Sequence, residues 1–200
     1  MLLLTVWAAA AMGPTVLAAH QVAATVWSFL TFTLDALAIA AQALTGKALG
    51  AGDLPRVREA TDLMVRWGVG SGAVLGLVVV AASPWLPMLF TADPEVRAAT
   101  TAALIVVGLG QVVSGYVFVL DGVLIGAGDG PWLARAMVAV LAVYLPIVVV
   151  VRVAAPALVE RGPAFGVVVL WLTFTGFMLL RWVALGWRAR GESWMVTGMR

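Results

Sequence analysis

Two carboxylates stand isolated in long apolar stretches of this 200-residue chain: Asp35, within residues 21–46, and Asp121, directly after the charge-free residues 98–120. A charged group in the middle of a bilayer costs at least about 3 kcal/mol on insertion scales, so an acid kept there faces a cavity, pairs with a partner or holds a proton. The chemistry on offer is ion exchange, because a poorly hydrated carboxylate can trade a proton for a monovalent cation. The mechanical alternative is that both acids bind Ser, Thr or backbone groups and hold helices together. Gln21, Gln42, Gln111, Tyr116 and Trp27 are the polar and aromatic groups placed to line a cavity beside them. Amides can bridge helices and aromatic faces attract cations. His20 is expected at the outer mouth of the first full span, as an interfacial hydrogen-bonding group. One His and no Cys supply no Cys/His metal cluster, and two scattered acids supply no convergent catalytic set. Neither a metal nor an organic cofactor is expected.

The elements that must position these groups follow from composition. With 63% hydrophobic and 11% charged residues and a mean hydropathy of +1.06, the chain is far more apolar than a soluble domain. A helix needs about 20 apolar residues to cross about 30 Å of hydrocarbon. Residues 67–90 and 98–120 contain no charge, residues 162–180 none, residues 21–46 only Asp35, and residues 131–151 only Arg135. Five spans are therefore predicted. The apolar run before Gly13-Pro14 is about half the length of a span, and reads as a truncated sixth helix. No Lys or Arg precedes it, which argues against a signal peptide. Asp35 lies twelve residues before Lys47, about 18 Å deep at helical rise, and Asp121 lies eight before Asp129, about 12 Å deep.

Lys47, Arg56, Arg58, Arg66, Arg135, Arg181, Arg188, Arg190 and Arg200 fall at one set of span ends; only Arg97, Arg152 and Arg161 fall at the other. The positive-inside rule places the first set, and the C-terminus, in the cytoplasm. The basic residues are spread over loops rather than massed on a face, so nucleic acid is not an expected partner. Two cytoplasmic turns are near copies, Gly50-Ala51-Gly52-Asp53-Leu54-Pro55 and Gly126-Ala127-Gly128-Asp129-Gly130-Pro131, each preceded by a Leu-Asp pair. Glycine closes a helix in the left-handed conformation, aspartate caps the next one and proline suits its first turn. Asp93 is expected to cap in the outer turn. Trp182, Trp187 and Trp194, interleaved with Arg181, Arg188 and Arg190, read as an interfacial belt with a basic tail.

The strings Leu17-Ala18-Ala19-His20-Gln21, Leu34-Asp35-Ala36-Leu37-Ala38-Ile39-Ala40-Ala41-Gln42, Gly46-Lys47-Ala48-Leu49-Gly50-Ala51-Gly52-Asp53 and Phe118-Val119-Leu120-Asp121-Gly122-Val123-Leu124-Ile125-Gly126-Ala127-Gly128-Asp129 resemble the multidrug and toxic compound extrusion (MATE) transporters, in their DinF-like branch. The resemblance implies an all-α polytopic membrane protein equivalent to the second of two six-helix lobes. In it residues 1–12 are the remnant of one helix, followed by helices over 17–45, 57–82, 95–127, 131–153 and 163–187 and a cytoplasmic tail over 188–200. It further implies a multi-pass protein of the inner membrane that expels small cationic or amphipathic compounds in exchange for protons or sodium. Asp121 is then the favoured coupling acid and Asp35 the second. A missing N-terminal lobe and membrane lipid are the implied partners. The rival expectation is a small non-transporting scaffold or assembly subunit.

Overall fold

The computed structural model describes residues 1–197; residues 198–200, including the Arg200 counted in the basic tail, lie outside the described residues. All its regular elements are helical: α1 (Leu2–Ala9) with a 3-10 turn at Ala10–Met12, α2 (Pro14–Gly50), α3 (Leu54–Ala82), a 3-10 turn at Leu86–Leu89, α4 (Pro94–Gly126), α5 (Gly130–Val153), the short α6 (Ala155–Val159) and α7 (Pro163–Arg190). Five of these, α2, α3, α4, α5 and α7, are long and apolar enough to cross a membrane. Each begins or ends closer to its turn than hydropathy alone suggests. At α3 and α4 the side-chain caps Asp53 and Asp93 mark where those helices start.

Both Gly-Ala-Gly-Asp turns close alike. Gly52 and Gly128 adopt φ of 72° and 74°. The Gly52 amide bonds to the Leu49 carbonyl and the Asp53 amide to that of Ala48, and the same pair recurs as Gly128 to Ile125 and Asp129 to Leu124. This is the paired helix-ending motif that a left-handed residue permits. The following aspartates then diverge. Asp53 caps α3 by accepting from the Arg56 amide at 3.1 Å, and Asp93 caps α4 by accepting from the amides of Glu95 and Val96. Asp129 instead gives its side chain to Arg188, contrary to the capping role expected for it. A guanidinium offers charge-assisted bonds that outcompete a backbone amide.

The chain divides into two compact units. The first combines Met1–Leu30, Leu75–Gln111 and Leu141–Phe177. A run of aromatic contacts forms its interior: His20 on Trp171, Trp171 on Phe174, and Phe174 against both Trp27 and Phe177, which in turn meets Tyr144. His20 is 1% exposed and not at an open mouth. Its Nε2 lies 3.2 Å from the Thr5 hydroxyl, which donates its own proton to the Leu2 carbonyl at 2.8 Å. With its proton so engaged, the hydroxyl oxygen is left to accept from Nε2–H. Arg152 fastens α1 by donating to the Trp7 carbonyl at 2.5 Å, with its guanidinium over the Trp7 ring.

The second unit combines Thr31–Val74, Val112–Val140 and the described residues from Met178 onward. It holds both Gly-Ala-Gly-Asp turns. Within it α4 packs backbone to backbone on α2: a Cβ on Gly122 would meet the Ala38 carbonyl carbon at 2.7 Å, and one on Gly126 the Gln42 carbonyl carbon at 2.9 Å. Only glycine allows this approach, which substitutes weak Cα–H contacts and dispersion for side-chain packing. Beyond α7 the chain folds back so that Trp194 is 2% exposed, its Nε1 donating to the Ala189 carbonyl at 3.3 Å. Trp182 and Trp187 are exposed as the interfacial belt requires, and Trp194 is not.

Candidate functional site

Asp35 and Asp121 come together in the second unit, on facing stretches of α2 and α4. Asp35, Ala38, Ile39 and Gln42 share one face of α2 at i, i+3, i+4 and i+7 spacing, and Phe118, Asp121, Gly122 and Ile125 repeat that spacing on α4. These eight residues line one cavity of about 300 Å³. Gly122 and Gly126 sit directly on the main chain of Ala38 and Gln42, so the two helices are in contact beside both acids. Carboxylates can trade a proton for a small cation, and these two share one cavity.

The other side of Asp121 meets Arg181 of α7, which donates Nη2 to its carboxylate. The two side chains are 22% and 14% exposed, respectively. Asp121 and Arg181 also share the wall of a second cavity, of about 330 Å³, whose other lining groups, such as Leu133, Met137, Val140 and Leu185, carry no charge. A turn or two farther along, Arg188 clasps Asp129 with Nε at 2.7 Å and Nη2 at 3.1 Å. Arg181 and Arg188 are thus partners of acids rather than members of a free basic tail. Their spacing carried a signal: Asp121 and Asp129 on one side, and Arg181 and Arg188 on the other, are each about two helical turns apart.

The remaining expected lining residues are dispersed. Gln42 joins the cavity of the two acids. Tyr116 stacks on Trp182, centroids 5.5 Å apart, with its hydroxyl against Gly186. Gln111 is fully buried, Nε2 donating to the Val107 carbonyl at 3.3 Å. Trp27 packs edge-on against Phe174. Gln21 is exposed on α2. Among the described residues no group of three or more His, Asp or Glu could hold a metal ion.

The family model described as MatE matches residues 1–154 of this helical array. The chain belongs to the MatE family, the MATE transporters. Among curated proteins this MatE chain is 32% identical to Protein DETOXIFICATION 44, chloroplastic, of Arabidopsis thaliana, over 90% of its own length and 33% of the relative's. It is 30% identical to Protein DETOXIFICATION 45, chloroplastic, of the same plant, over 94% and 32% respectively. A bacterial relative, "Probable multidrug resistance protein NorM" of Rhodopseudomonas palustris, is 33% identical over 58% of the chain and 25% of the relative. The chain spans about a third of the length of the curated relatives it matches most extensively. No solved structure matches it. Family and apolar helices together make it a multi-pass membrane protein.

Proposed function

We propose that this chain is the C-terminal lobe of a cation-coupled efflux antiporter of the DinF-like branch, exporting small cationic or amphipathic compounds by alternating access. The observation that carries the reading is the pair of carboxylates, Asp35 and Asp121, lining one cavity between membrane-spanning helices. Protons or sodium are the coupling ions, Asp121 is the principal coupling group, and Gln42 is the nearest polar support. The names DETOXIFICATION and multidrug resistance protein among the relatives support the substrate class. A second lobe supplies the opposite wall, so the chain alone does not transport. The DinF-like assignment rests on the strings around His20 and Asp35.

In the plasma (inner) membrane, the turns at 51–53 and 127–129 and the segment after α7 face the cytoplasm. All of them lie in the unit rich in Lys and Arg. The chain contains no Cys, so single Cys substitutions at Ala51 and Ala154 test this directly with an impermeant maleimide. Labelling of A51C from outside intact cells overturns the orientation.

The test of function is dye efflux in proteoliposomes under a proton or sodium gradient. Efflux by the chain alone overturns the incomplete-lobe reading. In a protein carrying both lobes, Asp121→Asn is expected to abolish gradient-driven efflux while leaving insertion intact. Unchanged efflux would overturn Asp121 as the coupling group and leave it as helix glue, a role the Asp121–Arg181 pair supports. Absence of efflux from the unsubstituted two-lobed protein would favour the second reading, a non-transporting helical scaffold.

A further inference from the structure

An ion-exchange carboxylate has no need of a resident cation, yet Asp121 has one. Arg181 reaches it from α7, while the cavity shared with Asp35 lies on its α2 side. Asp35 makes no ion pair among the described residues. The ionised cluster therefore carries two negative charges and one positive charge. It attracts one further monovalent cation, and that cation must share Asp121 with Arg181.

The geometry lets Arg181 yield and return. Its side chain borders the 330 Å³ cavity between α4, α5 and α7, which gives it room to withdraw. Among the described residues, Asp121 is the one acid lining that cavity. Withdrawal breaks its pair with Asp121, and re-forming that pair favours its return.

We propose that Arg181 is a tethered competitor: it vies with a free monovalent cation for Asp121, limits the Asp35–Asp121 site to one such ion and expels that ion on rebinding. The inference rests on reading Asp121 as a coupling carboxylate. It adds a residue that sets how tightly the ion is held.

The test is a sodium titration of the full chain in nanodiscs at constant ionic strength, read as bound sodium. Near-ultraviolet dichroism of the tryptophans monitors the fold. Removing a unit positive charge beside the site in Arg181→Gln is expected to tighten sodium binding by about tenfold, the effect of a Coulomb term at intermediate dielectric. Arg181→Lys keeps a cation but loses the planar fork, so its affinity falls between those of the wild type and R181Q. Asp121→Asn removes binding in both the wild-type and R181Q backgrounds. Should R181Q bind no tighter than the wild type while D121N still abolishes binding, the competitor role is overturned and the Asp121 reading survives. If D121N changes neither background, both fall. Absence of sodium binding in every variant also overturns the competition. Where R181Q does not fold, R181K with unchanged or weaker affinity is the overturning result.

Discussion

Arg188 holds Asp129 through two of its nitrogens, Nε at 2.7 Å and Nη2 at 3.1 Å, so that the last turn of α7 is tied to the turn between α4 and α5. Both side chains are largely shielded, at 18% and 14% exposure. Removing one partner strands the other, at a cost of about 3 kcal/mol. Asp129→Ala and Arg188→Ala should each lower the thermal unfolding midpoint in detergent, and the double variant should fall well short of their sum. Additive losses would show that the pair is not coupled.

Asp53 and Asp129 occupy matching places in the repeated turn but hold different partners, and their substitutions separate the roles. Asp53→Ala removes a side-chain cap on α3 and should cost about 1 kcal/mol. Asp53→Ser keeps an N-cap acceptor and should recover most of it. At Asp129, Ser should recover little, because the loss there is of charge on Arg188. Unfolding midpoints of the four variants decide the matter.

The contact of Gly122 with Ala38 predicts a steep steric response. Gly122→Ala places a methyl group against backbone atoms of α2 and should destabilise by about 2 kcal/mol or more. Gly70→Ala serves as the control, since a Cβ there meets nothing within 4 Å. A helix-interior glycine in open space gains up to about 1 kcal/mol on becoming alanine. Equal effects at the two sites would refute the close packing.

Trp194 is buried although it lies past the end of α7. Trp194→Ala should cost about 3 kcal/mol if the segment is anchored as the packing indicates. It should also raise protease cleavage between Arg190 and Trp194 when the cytoplasmic face is exposed to trypsin. An unchanged cleavage rate would mean that the ring does not restrain the segment.

The helices were legible because the bilayer demands long charge-free windows, and residues 67–90 and 98–120 can satisfy nothing else. The turns were legible for a different reason: the glycine, aspartate and proline chemistry of residues 50–55 is local. Pairing across the fold was not. Arg181 and Arg188 read as tail charges because proximity in sequence to Trp182 and Trp187 suggests an interface, whereas their partners lie about sixty residues earlier. His20 read as interfacial because the segment that covers it, with Thr5, is too short to register as a span. Of the candidate site, the two acids and Gln42 were visible as polar groups in apolar runs. That they share a cavity depends on the glycine contacts between α2 and α4, which only the packed structure reveals.

The backbone contacts at Gly122–Ala38 and Gly126–Gln42 have a mechanical corollary. Helices that touch through their main chains cannot be squeezed closer, and parting them would forfeit contacts along several turns. The gap between Asp35 and Asp121 therefore behaves as a fixed aperture, set by glycine rather than by the acids themselves. On the function proposed above, an ion entering it would be measured against a ruler built into the peptide backbone, and the side chain approaching from α7 would be what adjusts to its size.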